Sequence, residues 1–200
     1  DGNQAKNRLA AAAQITVNNG GTFEIRGLNA LFAGTPNQAN FTVNAGGTLS
    51  VVSGTSTYGG TESHTHVGNL TLAGGTVNLS YSGAGTAYNG ESFQLDGSVN
   101  VTANSTIQFG SGATNANAGI GLKGTNTFTV DPGVTLNVSA ELEDRDSGAN
   151  GFYKTGTGKM VLSGTNTYTG TTTVSQGTLQ LDANAPSGSA GTLGNAASAV

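Results

Sequence analysis

Apolar and polar positions alternate along this chain in short bursts, and the bursts repeat. The first runs ITVNNGGTFEI from Ile15 to Ile25: apolar, polar, apolar, a polar and glycine turn, threonine, apolar, polar, apolar. It returns as FTVNAGGTLSV from Phe41 to Val51, LTLAGGTVNL from Leu70 to Leu79 and VNVTANSTIQF from Val99 to Phe109. FTVDPGVTLNV follows from Phe128 to Val138, and TTVSQGTLQL from Thr172 to Leu181. Period-two alternation places every second side chain on one face of a strand. Each copy therefore predicts two short strands joined by a turn.

The threonine after the turn marks phase. It stands at Thr22, Thr48, Thr76, Thr106, Thr135 and Thr178, in steps of 26, 28, 30, 29 and 43 residues. Repeats of roughly 20–50 residues signal solenoids or arrays. The last step fits one coil with an insertion, or two short coils. Stacking the copies predicts two inward columns: Ile15, Phe41, Leu70, Val99 and Phe128; and Val17, Val43, Leu72, Val101, Val130 and Val174. Leu28 and Leu31, Phe93 and Leu95, and Ile120 and Leu122 are candidates for a third short strand in each coil. Such columns are buried only by neighbouring coils, so the repeats stabilise one another. The predicted fold is all-β, a right-handed single-stranded parallel β-helix of roughly seven coils. At about 4.8 Å per coil it makes a rod about 35 Å long. Residues 1–200 form a single solenoid segment.

Two other folds fit less well. An antiparallel sandwich with hairpins at the Asn-Gly-Gly turns does not need one residue class at one phase in every repeat. A propeller has longer repeats and richer aromatic signatures. Asn18 and Asn44 hold equivalent places after the first strand of their copies. They predict either a short asparagine ladder or simple turn capping.

Composition agrees with many short strands and turns. There are 33 glycines, 29 threonines, 21 asparagines and only 3 prolines. Threonine favours strands, whereas glycine and asparagine accept the left-handed backbone of tight turns. Charged residues are 9% of the chain and the formal net charge is −4, which argues against nucleic acid or an anionic membrane as a direct partner. No cysteine is present, which suits passage through an oxidising compartment. No run reaches the ~18 apolar residues of a membrane-spanning helix. The start, Asp1-Gly2-Asn3-Gln4-Ala5-Lys6, lacks the pattern of a signal peptide, so the numbering is expected to begin inside a longer precursor.

The segment KTGTGKMVLSGTNTYTGTTTVSQGTLQL, Lys154 to Leu181, resembles the autotransporter-associated β-strand repeat of Gram-negative passenger domains. Lys154, Gly156, Gly158, Leu162, Gly164, Asn166, Thr167, Tyr168, Gly170, Thr172, Val174, Gly177, Leu179 and Leu181 stand at the matching places. Met160 replaces the usual first leucine at similar volume. GTNTF at Gly124 to Phe128 echoes GTNTY at Gly164 to Tyr168. Residues 153–181 are thus expected to be the family-type repeat. The resemblance implies a β-helix displayed on the bacterial cell surface, as an adhesin or a stalk. It implies no activity, because the repeat carries no chemistry of its own.

Candidate chemistry is sparse. Glu62, His64 and His66 alternate in TESHTHV and would share one strand face, a spacing that suits zinc. No fourth ligand is evident, and an exposed strand or solvated loop explains the same pattern. Glu141, Glu143, Asp144 and Asp146 crowd around Arg145. Paired carboxylates can do acid–base work or bind calcium, but crowding in sequence reads as a solvated loop. Thr55-Ser56-Thr57, Thr125-Asn126-Thr127 and Thr171-Thr172-Thr173 suggest an ice- or crystal-binding face, yet they fall at different phases and form no single rank. No nucleophile elbow or phosphate loop is present. No catalytic, cofactor-binding or metal residue is assigned, and no cofactor is expected.

The expected function is therefore non-catalytic: an adhesin, spacer or matrix scaffold on the outside of a Gram-negative cell. A secreted polysaccharide-degrading β-helix and an ice- or crystal-binding solenoid remain as alternatives. Expected partners are a host or matrix glycan or protein, and other copies through end-to-end or lateral stacking, because open strand edges invite pairing.

Overall fold

The computed structural model describes residues 13–26, 38–53, 65–82, 93–115, 117–144, 148–183 and 191–194. Its strands begin with β1 (Gln14–Val17), β2 (Thr22–Arg26), β3 (Ala39–Asn44), β4 (Thr48–Ser53), β5 (Thr65–Ala73) and β6 (Thr76–Tyr81). They continue with β7 (Phe93–Leu95), β8 (Val99–Ala103), β9 (Ser105–Phe109), β10 (Ile120–Leu122), β11 (Thr125–Val130) and β12 (Thr135–Val138). The last are β13 (Leu142–Asp144), β14 (Gly151–Thr155), β15 (Lys159–Leu162), β16 (Thr172–Val174) and β17 (Thr178–Leu181).

Among the described residues every pairing between strands is parallel, and no strand pairs with its neighbour in sequence. That excludes the hairpin sandwich, in which consecutive strands pair antiparallel. Strands β2, β4, β6, β9, β12, β15 and β17 stack in one seven-stranded sheet. The ten-stranded sheet stacks β1, β3, β5, β8, β11, β14 and β16, and the long β5 also carries a second stack of β7, β10 and β13. The chain is a parallel β-solenoid.

The register follows the apolar columns. Ile15 faces Phe41, Phe41 faces Leu70, Leu70 faces Val99, and Val99 faces Phe128. Val17, Val43, Leu72, Val101 and Val130 make the second column. In the other sheet Phe23, Leu49, Val77, Ile107, Val138, Leu162 and Leu181 lie in one line. Most of these side chains have no exposure at all. Burying each stabilises the fold by roughly 1.5–3 kcal/mol. The aromatic members add edge-to-face contacts, Phe23 on Phe41 at 5.5 Å and Phe128 on Phe152 at 5.4 Å between ring centroids. The third strand falls where Phe93, Leu95, Ile120 and Leu122 predict it, on β7 and β10. Leu28 and Leu31 lie outside the described residues.

Three details differ from the sequence reading. Thr106 faces Asn137 rather than Thr135. The two extra residues are taken up in the Asp131–Val134 turn, where Val134 packs against the core. A slip of two keeps every side chain on its face, so the alternation hides it. The step from Thr135 to Thr178 holds two short coils, with Lys159 as the intervening partner in place of a threonine. Val174 belongs to the first column, facing Lys154, and not to the column of Val130. Beyond Val130 the glycine turn curls inward instead: the Gly158 amide donates to the Val130 carbonyl at 3.0 Å.

The asparagine ladder forms. Asn44 Nδ2 donates to Asn18 Oδ1 at 2.7 Å across one coil. A second ladder caps the other turn: the Asn69 amide donates to Asn40 Oδ1 at 2.6 Å, and the Ser98 amide to Asn69 Oδ1 at 3.0 Å.

Candidate functional site

Of the three residues proposed for zinc, His66 lies on β5 and is buried; Glu62 and His64 lie outside the described residues. His66 Nδ1 sits 2.6 Å from Asp96 Oδ2. Gln94 Nε2 donates to the other Asp96 oxygen, and Lys123 Nζ lies 3.9 Å from it. Asp96 thus fixes the imidazole ring and is itself held by two further groups. Among the described residues no three His, Cys, Asp or Glu side chains gather to hold a metal ion. The arrangement reads as a buried polar contact joining β5, β7 and the end of β10. Sequence spacing could not show this, because Asp96 is 30 residues from His66.

The acidic cluster is not a solvated loop. Leu142–Asp144 is strand β13, stacked on β10. Glu141 is 2% exposed, while Glu143 and Asp144 are half-buried. Asp146 and Arg145 lie outside the described residues. Asp144 accepts the Asn150 amide at 2.8 Å and the Thr169 amide at 3.0 Å, so it organises the chain on either side. Glu141 Oε1 accepts the Thr167 hydroxyl at 2.7 Å, and Oε2 is buried with no hydrogen-bond partner. Burial pushes the Glu141 carboxyl up to about 7, against a smaller lowering by the Thr167 hydrogen bond.

The family-type segment puts a charged side chain into a column that the earlier coils fill with apolar ones. Lys154 occupies the first inward column, between Phe128 and Val174, and has no exposure. Its ammonium donates to the carbonyls of Thr155 at 2.7 Å, Gly156 at 2.8 Å and Gln176 at 3.2 Å. All three N–H donors are used, and two successive turns are tied together. Burial lowers the Lys154 pKa. The glycines of the motif let these turns approach. Gly177 has φ of +73°, and a Cβ there would stand 2.3 Å from the Gly158 carbonyl oxygen. Asn166 is also unexposed; its Oδ1 accepts the Leu142 amide at 2.8 Å, and its Nδ2 donates to the Thr192 carbonyl at 2.7 Å. Asn126, at the matching place of GTNTF, is buried as well, and its Nδ2 donates to the carbonyls of both Leu95 and Gly97 at 2.9 Å. The Tyr168 hydroxyl meets Thr172 Oγ1 at 2.7 Å, and burial raises its pKa to about 12.

The outward faces do form ranks. Thr22, Thr48, Thr76 and Thr106 stand in register on one sheet. Thr16, Thr42, Thr71, Asn100, Thr129 and Thr155 stand in register on the other. The two described Thr-x-Thr triplets share one phase, contrary to the sequence reading, but a tyrosine interrupts their column. Thr127 and Thr173 are separated by Tyr153, which is 42% exposed, and Thr55 and Thr57 lie outside the described residues. These faces offer hydroxyl and amide groups and little charge.

Comparison with known proteins agrees with this architecture. Residues 152–181 match the Passenger-associated-transport-repeat family. The buried polar groups just described, Lys154, Asn166 and Tyr168, all fall inside that match. The chain is also similar to the Adhesin BmaC autotransporter of Brucella suis biovar 1 (strain 1330), 35% identical over 122 residues. That alignment covers 60% of this chain and 3% of the Brucella protein. No solved structure matches the chain significantly.

Proposed function

We propose that this chain is a non-catalytic section of a surface-displayed passenger, an adhesin-type rod whose outward threonine and asparagine ranks meet a glycan or protein. The observation that carries the reading is the pairing of a buried, stacked interior with in-register ranks of neutral hydrogen-bonding groups outside. Similarity to a named adhesin autotransporter supports it. A rigid parallel stack repeats one donor and acceptor pattern at about 4.8 Å intervals. Many weak contacts then add up along a polymeric partner. Display on a Gram-negative cell follows from the passenger repeat as part of the same proposal.

The test replaces this segment, in the displayed protein, with a solenoid of equal length whose outward ranks differ. Loss of adhesion with display intact supports a binding role. Unchanged adhesion leaves only spacing and defeats the binding half. Turnover of any member of a polysaccharide panel by the purified chain would defeat the non-catalytic half.

A further inference from the structure

We propose that Glu141 is a proton-operated clamp: with its carboxyl neutral, the coil carrying Thr167 stays packed over it, and the ionised carboxylate, which the single Thr167 hydroxyl does not solvate, draws in water and loosens that coil. The geometry places Glu141 at a junction. Its backbone carbonyl accepts the Ile120 amide of the preceding coil at 2.9 Å. Its side chain accepts the Thr167 hydroxyl of the following coil at 2.7 Å. Directly beside it, the Thr167 amide donates to the Leu142 carbonyl at 2.9 Å and Asn166 takes the Leu142 amide. Glu141 is thus, with Asp144, a titratable side chain that reaches from the β13 segment to the matched repeat.

The surroundings favour the neutral form. Glu141 is 2% exposed and Oε2 has no hydrogen-bond partner. A buried carboxylate oxygen without a donor is far costlier than a buried neutral one. Glu143 lies two residues on, on the same face. An ideal Cβ on Gly119 would stand 2.7 Å from Glu143 Oε1 and 3.5 Å from the Glu141 Cβ, so the two acidic side chains flank one glycine. The strand below, Ile120–Leu122, has no charged residue, and Lys123 after it turns to Asp96. The segment from Ser163 to Thr169 has no charged residue; its one titratable group, Tyr168, is committed to Thr172. Asp144, on the opposite face of β13, is committed to Thr169 and Asn150. Asn115 Nδ2 donates to the Thr165 carbonyl at 2.5 Å, so the loop before β10 reaches this stretch without bringing a cation.

The sign of the pH dependence follows. Below about 4.5, the ordinary value for a glutamate, both folded and unfolded chains hold the proton and nothing is lost. Above it the unfolded chain releases the proton first, so stability falls with rising pH until the folded carboxyl titrates as well.

The test is thermal unfolding and amide hydrogen exchange of the 200-residue chain between pH 5 and 8, with Glu141→Gln alongside. The folded-to-unfolded ratio of the wild type should fall about a hundredfold over that range, and exchange at the Thr167 amide should quicken. Glu141→Gln should be flat and protected throughout. A wild type whose stability does not change, or a variant with the same slope, overturns the clamp. Should the variant not fold, the side-chain carboxyl ¹³C shift of Glu141 in the wild type decides: a midpoint near 7 supports the clamp, and one below 5 overturns it.

Discussion

The early coils, up to Phe109, and the matched repeat, 152–181, build the same solenoid in different ways. The early coils are specified by alternation. Ile15, Phe41, Leu70 and Val99 form a column of apolar side chains, and any similar apolar residue would serve. The repeat has shorter coils and places Lys154, Asn166 and Tyr168 inside. Lys154 and Asn166 satisfy specific backbone groups on an adjacent turn or coil, and Tyr168 meets the Thr172 hydroxyl. Short coils bury less apolar surface, and their turns are pressed together through glycine. Fixed polar contacts there specify a register that apolar packing alone leaves loose, since a slip of two costs alternation nothing.

The sharpest way to break that contrast is to make the two regions alike. Lys154→Met keeps the volume but orphans three carbonyls, and should cost about 3 kcal/mol. Leu72→Met, equally unexposed in the early coils, should cost under about 1.5 kcal/mol. Chemical denaturation of both reads the difference, and equal costs would erase the distinction. A smaller gap is expected between two asparagines. Asn166→Ala strands the Leu142 amide and the Thr192 carbonyl inside the protein and should cost about 2 kcal/mol. Asn44→Ala removes only an exposed ladder bond, worth about 0.5–1 kcal/mol. Parallel thermal melts check the order, and a costlier Asn44→Ala would reverse the account.

The same contrast explains what the sequence made legible. Both inward columns were readable through Phe128 and Val130, because burial by neighbouring coils demands apolar residues at fixed parity. The third strand at Phe93 and Ile120 was readable for the same reason. Thr135 and Val174 were misplaced by two residues, a shift that parity cannot register. Lys159 hid one coil because its place lacks the threonine that marks the others. Glu141 resembled solvent-facing charge because its cover is Thr167, 26 residues on. Lys154 was legible only as a motif letter; its meaning lies in carbonyls, which sequence does not display.

The central claim is the parallel register, and the chain's lack of cysteine allows a direct test. Thr42 and Thr71 are partners on adjacent strands of the stack, with outward side chains. Neighbouring strands lie about 4.8 Å apart, within disulfide reach. A Thr42→Cys, Thr71→Cys variant should close an intramolecular disulfide on mild oxidation, seen by mass spectrometry after proteolysis. Thr42→Cys with Ser50→Cys, on consecutive strands that do not pair, should stay reduced. The reverse outcome would replace the solenoid with hairpins.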